Sequence, residues 1–296
     1  MNEPEDIRDR GYLTRADILA LNFVRQSAPF VFRRHYREGL RSHIFEVHSP
    51  GTVATEKNGA VENGIRVFPR SVPFAMLRLM RHRFKTVEEA LLEIERFHTL
   101  RGYLTTDFVA DSEEFLADYR IHGRMELILC GFQGYVEGEI FDPWAFERYP
   151  GALSSLADQV RSLQSTRVSR GNFLDLLERN VKQFVKALKR MVDQAGLIPD
   201  LSGVGNLILT KDARFKLVDI NNISRVSFDP DVYIDDKGYP VCDKSVEVLA
   251  ILEEHFFKIP RSDLVRKEPV YRFFLEPGRL HRVREKEKDF LRKVIG

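Results

Sequence analysis

Ile198-Pro199-Asp200-Leu201-Ser202-Gly203-Val204-Gly205-Asn206-Leu207-Ile208-Leu209, followed by Phe215-Lys216-Leu217-Val218-Asp219-Ile220-Asn221, is the stretch that decides the fold. Two short apolar segments, 207–209 and 215–218, are joined by the turn Lys211-Asp212-Ala213 and read as a hairpin. Asp200, Asn206 and Asp219 stand at the ends of these segments, where loop polar groups can converge on one cleft. Just upstream, Leu174, Leu177, Val181, Phe184, Leu188 and Met191 recur at steps of three and four. That period predicts a long helix over 172–195 with one buried face, stopped by Gly196.

Outward from this centre the two halves differ. Before residue 70, Val31-Phe32, His43–Val47 and Thr52–Thr55 read as short strands, punctuated by Gly39, Ser49-Pro50-Gly51 and Asn58-Gly59. Pro73–Phe84 reads as a helix, and Thr86-Val87-Glu88-Glu89 opens another through a capping box, running to Leu100 and stopping at Gly102. Residues 115–121 and 126–132 read as an antiparallel pair turning at His122-Gly123-Arg124. Helices are expected over 152–166, over 243–257 and near the C-terminus. The expectation is an α+β protein in two lobes: residues 1–134 strand-rich, residues 135–296 mainly helical.

Composition narrows the function classes. The 296 residues carry 46 Lys and Arg against 44 Asp and Glu, so a net charge of +2 gives no overall field drawing nucleic acid or a membrane surface. Two cysteines cannot build a disulfide scaffold, and eight histidines lack metal-ligand spacing, so a zinc site is not expected. The most apolar short run, Leu127–Phe132, is far too short to span a bilayer. The acidic start, Met1–Asp6, has no apolar leader, and a cytoplasmic protein without a membrane span is expected. No Gly-x-Ser-x-Gly motif or Cys-His pair points to a hydrolase. The basic stretch 65–85, with Arg66, Arg70, Arg78, Arg81, Arg83 and Lys85, reads as a surface helix whose Arg stems cover apolar neighbours. The mixed-charge run Arg279–Lys293 reads as a solvated helix.

Carboxylates with an Asn in this order suit phosphoryl transfer, in which one Asp orients a hydroxyl and hard oxygen ligands hold Mg²⁺. Here the chain resembles the protein-kinase-like superfamily, including the small-molecule kinases related to aminoglycoside and choline kinases. Asp200-Leu201 with Asn206 is similar to that family's His-x-Asp-Leu-x-x-x-Asn loop, and Asp219-Ile220-Asn221 to its Asp-Phe-Gly. Leu127–Gly138 looks like the fifth strand and the hinge, Glu93–Leu100 like the C-helix, and Asp243–Leu249 like the start of the F helix.

The resemblance implies a bilobal kinase-like fold with ATP between the lobes. It implies Asp200 as base, Asn206 and Asp219 on Mg²⁺, Lys57 with Glu93 at the phosphates, and Gln133, Gly134 and Val136 beside adenine. A hydroxyl acceptor is expected, with a small molecule favoured over a protein. Departures accompany it: Asn206 follows Asp200 by six positions where the family has five, Pro199 precedes Asp200, and Asn221 replaces Gly. No clean third-strand Lys occurs; Lys57 is the first choice, with Arg66 or Arg70 as substitutes. Glu38–His43 stands where a Gly-rich loop would be and has a single Gly. These departures keep open a catalytically degenerate kinase-like regulator that binds nucleotide or a protein partner. Gly203–Asn206 with Val218–Asn221 is also similar to the ATP-grasp pattern, which implies a ligase that equally needs ATP and Mg²⁺. An interaction module that binds no nucleotide is the remaining class.

Overall fold

A computed structural model describes residues 5–24, 29–36, 39, 41–149, 151–162 and 169–295. It divides into two compact units. Unit 1 comprises residues up to 95 together with 111–135, and unit 2 comprises 96–110 and 136 onward.

Unit 1 holds α1 (Arg15–Leu19), β1 (Val31–Arg34), β2 (Ser42–His48), α2 (Pro50–Asn58), β3 (Ala60–Glu62), β4 (Ile65–Val67), β5 (Ala75–Met80), the start of α3 (Val87–Phe108), β6 (Ser112–Ile121) and β7 (Arg124–Gly134). Five of these strands form an antiparallel sheet in the order β1-β2-β5-β7-β6, and β3 and β4 form a separate ribbon. The β6–β7 hairpin turns at His122 and Gly123, both with positive φ (48° and 72°), the backbone that a two-residue hairpin turn requires.

Alternation sorts the sheet's two faces. Phe45, Val47, Ala75, Leu77, Leu79, Ala117, Ile128 and Cys130 share one core with Ile7, Leu13, Ile18 and Leu21 of the N-terminal segment. The opposite face is polar yet buried: Arg78, Ser112, Gln133, Glu46 and His48.

Two local readings are overturned in this unit. Thr52–Thr55 lies in α2, not a strand: Ser49 caps the helix, accepting from the Thr52 amide at 3.2 Å, and Pro50 occupies the first turn. The Ser-Pro pair read as a turn is a helix start. Pro73–Phe84 is no helix either, since Ala75–Met80 is the central strand β5, hydrogen-bonded on both edges. Its alternating Ala75, Leu77 and Leu79 supply the buried face, while Met76 and Met80 on the other face blur the period of two.

Helix α3 begins as expected, with the Glu89 amide donating to Thr86 Oγ1, although the Glu89 carboxylate turns back to the Lys85 amide. It runs past Gly102 because Leu100, Leu104 and Phe108 are buried in sequence on one face. That burial outweighs the roughly 1 kcal/mol cost of an internal glycine. Its break comes at Thr105 (φ 52°, ψ 177°).

Unit 2 contains β8 (Gly138–Phe141), α4 (Pro143–Arg148), α5 (Ala152–Ser162), α6 (Arg170–Ala195), β9 (Leu197–Pro199), β10 (Leu207–Thr210), β11 (Phe215–Leu217), β12 (Ile223–Arg225), α7 (Val241–Phe257), α8 (Arg261–Lys267), α9 (Pro269–Phe274) and α10 (Pro277–Ile295). The expected end of the 152–166 helix, residues 163–166, lies outside the described residues. Helix α6 buries Phe173, Leu177, Val181, Phe184, Leu188 and Met191, and Gly196 ends it in the left-handed conformation (φ 63°). Helix α7 is buried on nearly every side and shares a core with α6. Strands β8, β10 and β11 form one small sheet, and β9 pairs with β12. Arg279, expected on a solvated face, is instead buried against Asp243, with its Nε 2.5 Å from Oδ1. The two units together make a mixed α+β protein. No helix among the described residues is long and apolar enough to cross a membrane.

Candidate functional site

Unit 2 brings Asp200, Asn206 and Asp219 together through three short pieces of backbone. Strand β9 delivers Asp200 and β12 leads away from Asn222; the Asp200 amide donates to the Asn222 carbonyl at 2.8 Å, next to the Pro199–Ile223 pair. The hairpin β10–β11 pairs Leu207 with Leu217, so Asn206 and Val218 flank its open end, and the Val218 amide donates to the Asn206 carbonyl at 2.9 Å. Asp219 is the next residue. The loop is closed by Asn206 itself, whose Nδ2 donates to the Asp200 carbonyl at 3.0 Å.

The sixth residue of the loop is accommodated by glycines. Gly205 adopts φ 101°, a backbone that side chains disfavour. A Cβ on Gly203 would lie 2.6 Å from Asn206 Nδ2, so only glycine lets the Asn206 amide approach. Around the loop, Trp144 Nε1 donates to the Ser202 carbonyl at 2.9 Å and the Leu201 amide donates to Ser245 Oγ at 3.1 Å. Lys244 Nζ sits 3.9 Å from the Trp144 ring centre.

The Asp200 carboxylate is buried and held by neutral groups alone. Oδ1 accepts from the Ser202 amide (2.9 Å), Ser202 Oγ (2.7 Å) and the Gly203 amide (3.3 Å), and Oδ2 accepts from Asn222 Nδ2 (3.1 Å). Burial pushes its pKa up and the negative Asp219 adds to that, against the lowering effect of the Ser202 and Gly203 hydrogen bonds. Burial likewise raises the Tyr239 phenol beside Ser202.

Asn206 spends its amide nitrogen on Asp200, which leaves Oδ1 as an acceptor, and Asp219 brings a half-buried carboxylate to the same hairpin end. Two hard oxygen donors suit Mg²⁺, which keeps several waters and binds through one or two carboxylates plus substrate phosphates. Among the described residues, no three His, Cys, Asp or Glu side chains form a metal-binding group.

In unit 1, Lys57 is not on a strand. It is exposed in the last turn of α2. Arg66 lies on the β3–β4 ribbon, bonding the Asn58 carbonyl, and Arg70 is exposed. The third strand of the five-stranded sheet, counted along the chain, is β5, and its cation is Arg78. This residue is 5% exposed, with Nη2 2.6 Å from Glu114 Oε1. Gly131 lies between them in the register of β5, β7 and β6, and a Cβ there would sit 2.5 Å from Glu114 Oε1. A glycine in the middle strand thus opens the lane for a cross-strand ion pair. Arg78 Nε has no hydrogen-bond partner among the described residues.

Glu93 is half-buried on α3, while the carboxylate paired with Arg78 is that of Glu114. Gln133 is buried at the end of β7, Gly134 donates its amide to the Asp111 carbonyl (2.7 Å), and the Tyr135 amide donates to the Phe74 carbonyl (3.1 Å). Val136 follows, outside any helix or strand, as the first residue of the second segment of unit 2. The Glu38–His43 segment lies partly outside the described residues.

Sequence reasoning missed Arg78, Ser202 and Asn222. Alternation of Ala75, Leu77 and Leu79 was the available signal for Arg78. Nothing local marks Asn222, whose role arises from the β9–β12 pairing. No protein-family description and no curated protein matches this chain.

Proposed function

We propose that the chain is a kinase-like protein that binds ATP with Mg²⁺ and transfers the γ-phosphoryl group to a hydroxyl of a small molecule. In this reading Asp200 orients the acceptor hydroxyl and receives its proton as the new P–O bond forms and ADP leaves. Asn206 Oδ1 and Asp219 hold Mg²⁺, which when bound neutralises phosphate charge. Arg78 replaces Lys57 as the third-strand cation, and Gln133 and Gly134 end the fifth strand with Val136 just after it, where adenine contacts are expected.

The observation that carries the reading is the bonded run from the Asp200 carbonyl through Asn206 to Val218, which places two oxygen donors and a buried carboxylate around one loop. The chain order of the unit 1 sheet supports it, with α3 falling between the third and fourth strands and the hinge-like segment after the fifth. Thermal unfolding with and without ATP and Mg²⁺ tests it. Ligand at a hundred times its dissociation constant adds about 2.7 kcal/mol of stability. The gain should require Mg²⁺ and vanish in Asp219→Ala; a wild-type protein that no nucleotide stabilises overturns the proposal.

One observation favours a second reading. Both Asp200 oxygens are already engaged by Ser202, Gly203 and Asn222, as expected of a loop that binds nucleotide without transferring phosphate. Stabilisation by Mg²⁺-ATP without ADP release across a panel of hydroxyl acceptors would select it.

A further inference from the structure

Unit 2 holds a cavity that the proposed chemistry does not use. It is open to solvent and offers about 790 Å³, within the roughly 300–1,000 Å³ of small-molecule pockets. Helix α6 forms one wall, residues 103–108 of α3 another, and the end of α7 with Ile259 a third. The break in α3 at Thr105 lies on its rim. Leu104, Phe108, Ala187, Phe257 and Ile259 supply its apolar surface.

Its charges are uneven. Lys189 is held between Glu253 (3.1 Å) and Glu268 (2.7 Å), and Glu253 also accepts from the Tyr271 hydroxyl. Lys186 and Arg190, one turn apart on α6, line the same cavity, and both are exposed. Neither makes a hydrogen bond or ion pair among the described residues. Three cations therefore face two carboxylates, and the surplus of one positive charge lies at Lys186 and Arg190.

We propose that this cavity binds a free, single-chain carboxylate amphiphile, with its hydrocarbon against Phe108, Ala187, Phe257 and Ile259 and its carboxylate at Lys186 and Arg190. A hydrocarbon chain matches the apolar walls, and a monoanionic head matches the surplus charge, each ion pair being strengthened by the low-dielectric wall beside it. The site is independent of nucleotide binding.

Isothermal titration of the full chain with octanoate, decanoate and dodecanoate, each below its micelle concentration, tests the proposal. Affinity should rise about three- to fourfold per added methylene. Dodecyltrimethylammonium should bind at least tenfold more weakly than dodecanoate. The double variant Lys186→Glu, Arg190→Glu alters exposed side chains and should fold normally by circular dichroism while losing at least tenfold in dodecanoate affinity. Equal affinity for the cationic amphiphile, no dependence on chain length, or unchanged binding by the folded double variant overturns it. So does association with anionic phospholipid vesicles in the absence of any binding of the monomeric carboxylates.

Discussion

Asp6 in unit 1 and Asp200 in unit 2 are each 7% exposed, yet they are held in opposite ways. Asp6 accepts from Arg8 Nη2 (2.7 Å), the Arg8 amide (2.9 Å) and the Tyr119 hydroxyl (2.7 Å), with Arg83 at 3.2 Å. Burial raises its pKa, but the Arg8 and Tyr119 hydrogen bonds outweigh that and hold it well below the usual carboxylate range. Among the described residues no cation bonds Asp200, and its carboxyl is raised. A buried carboxylate with its own guanidinium is a pin that ties the N-terminal segment to the sheet, while one held by amides and a hydroxyl keeps its charge uncompensated. Glu114 with Arg78 belongs to the first kind.

The sharpest way to break this contrast is Asp200→Asn. Loss of the base should lower phosphoryl transfer by about 10²–10⁴-fold, with little change in urea midpoint because no cation is stranded. A large loss of stability with retained turnover would put Asp200 among the pins.

Arg78→Ala should do the reverse, costing about 3–5 kcal/mol in urea unfolding because it leaves the Glu114 carboxylate buried without its guanidinium. If Arg78 also meets nucleotide, Arg78→Lys should retain more of the Mg²⁺-ATP stabilisation than Arg78→Met does. Asp6→Ala should cost about 3 kcal/mol, the lower end of that range, since Arg8 keeps Glu126 at 2.9 Å. An effect under 1 kcal/mol would remove the distinction drawn between the two aspartates.

Gly203→Ala is subtler. Its Cβ must displace the Asn206 amide, costing about 1–2 kcal/mol and weakening Mg²⁺-ATP binding more than it weakens the fold. Equal binding by mutant and wild type would show that Asn206 does not need its present place.

The pH dependence is the finest test. A raised carboxyl destabilises the folded state above its folded pKa, and that penalty fades as pH falls toward the ordinary value of 3.8. Asp200→Asn should therefore be more favourable to stability at pH 7 than at pH 4, and the gap should close on acidification. For Asp6 the sign reverses: its contribution is present above 3.8 and is lost as pH drops below that value. Melting temperatures of the two variants measured from pH 7 to pH 3 should diverge accordingly.

How much was legible follows from the range of each interaction. The 172–195 helix and its Gly196 stop could be read because a 26-residue amphipathic period is a local signal that packing reinforces. The hairpin after Asn206 was legible for the same reason, and with it the convergence of Asn206 and Asp219. Lys57 escapes sequence reasoning because a Ser-Pro helix start resembles a turn, and Arg78 on the central strand is hidden in a stretch whose local pattern favours helix.

By itself, the sequence determined the amphipathic helices, the hairpins and the order Asp200, Asn206, Asp219, since these depend on periodicity and turn chemistry between near neighbours. Tertiary structure alone decided that Ala75–Met80 is a strand, because its propensity is weak and two flanking strands supply its hydrogen bonds. It also decided that Arg78 reaches Glu114 across Gly131 and that Asn222 closes on Asp200, contacts between residues 36 and 22 positions apart. Such pairs leave no local mark, because the burial that makes them strong exists only once distant strands have met.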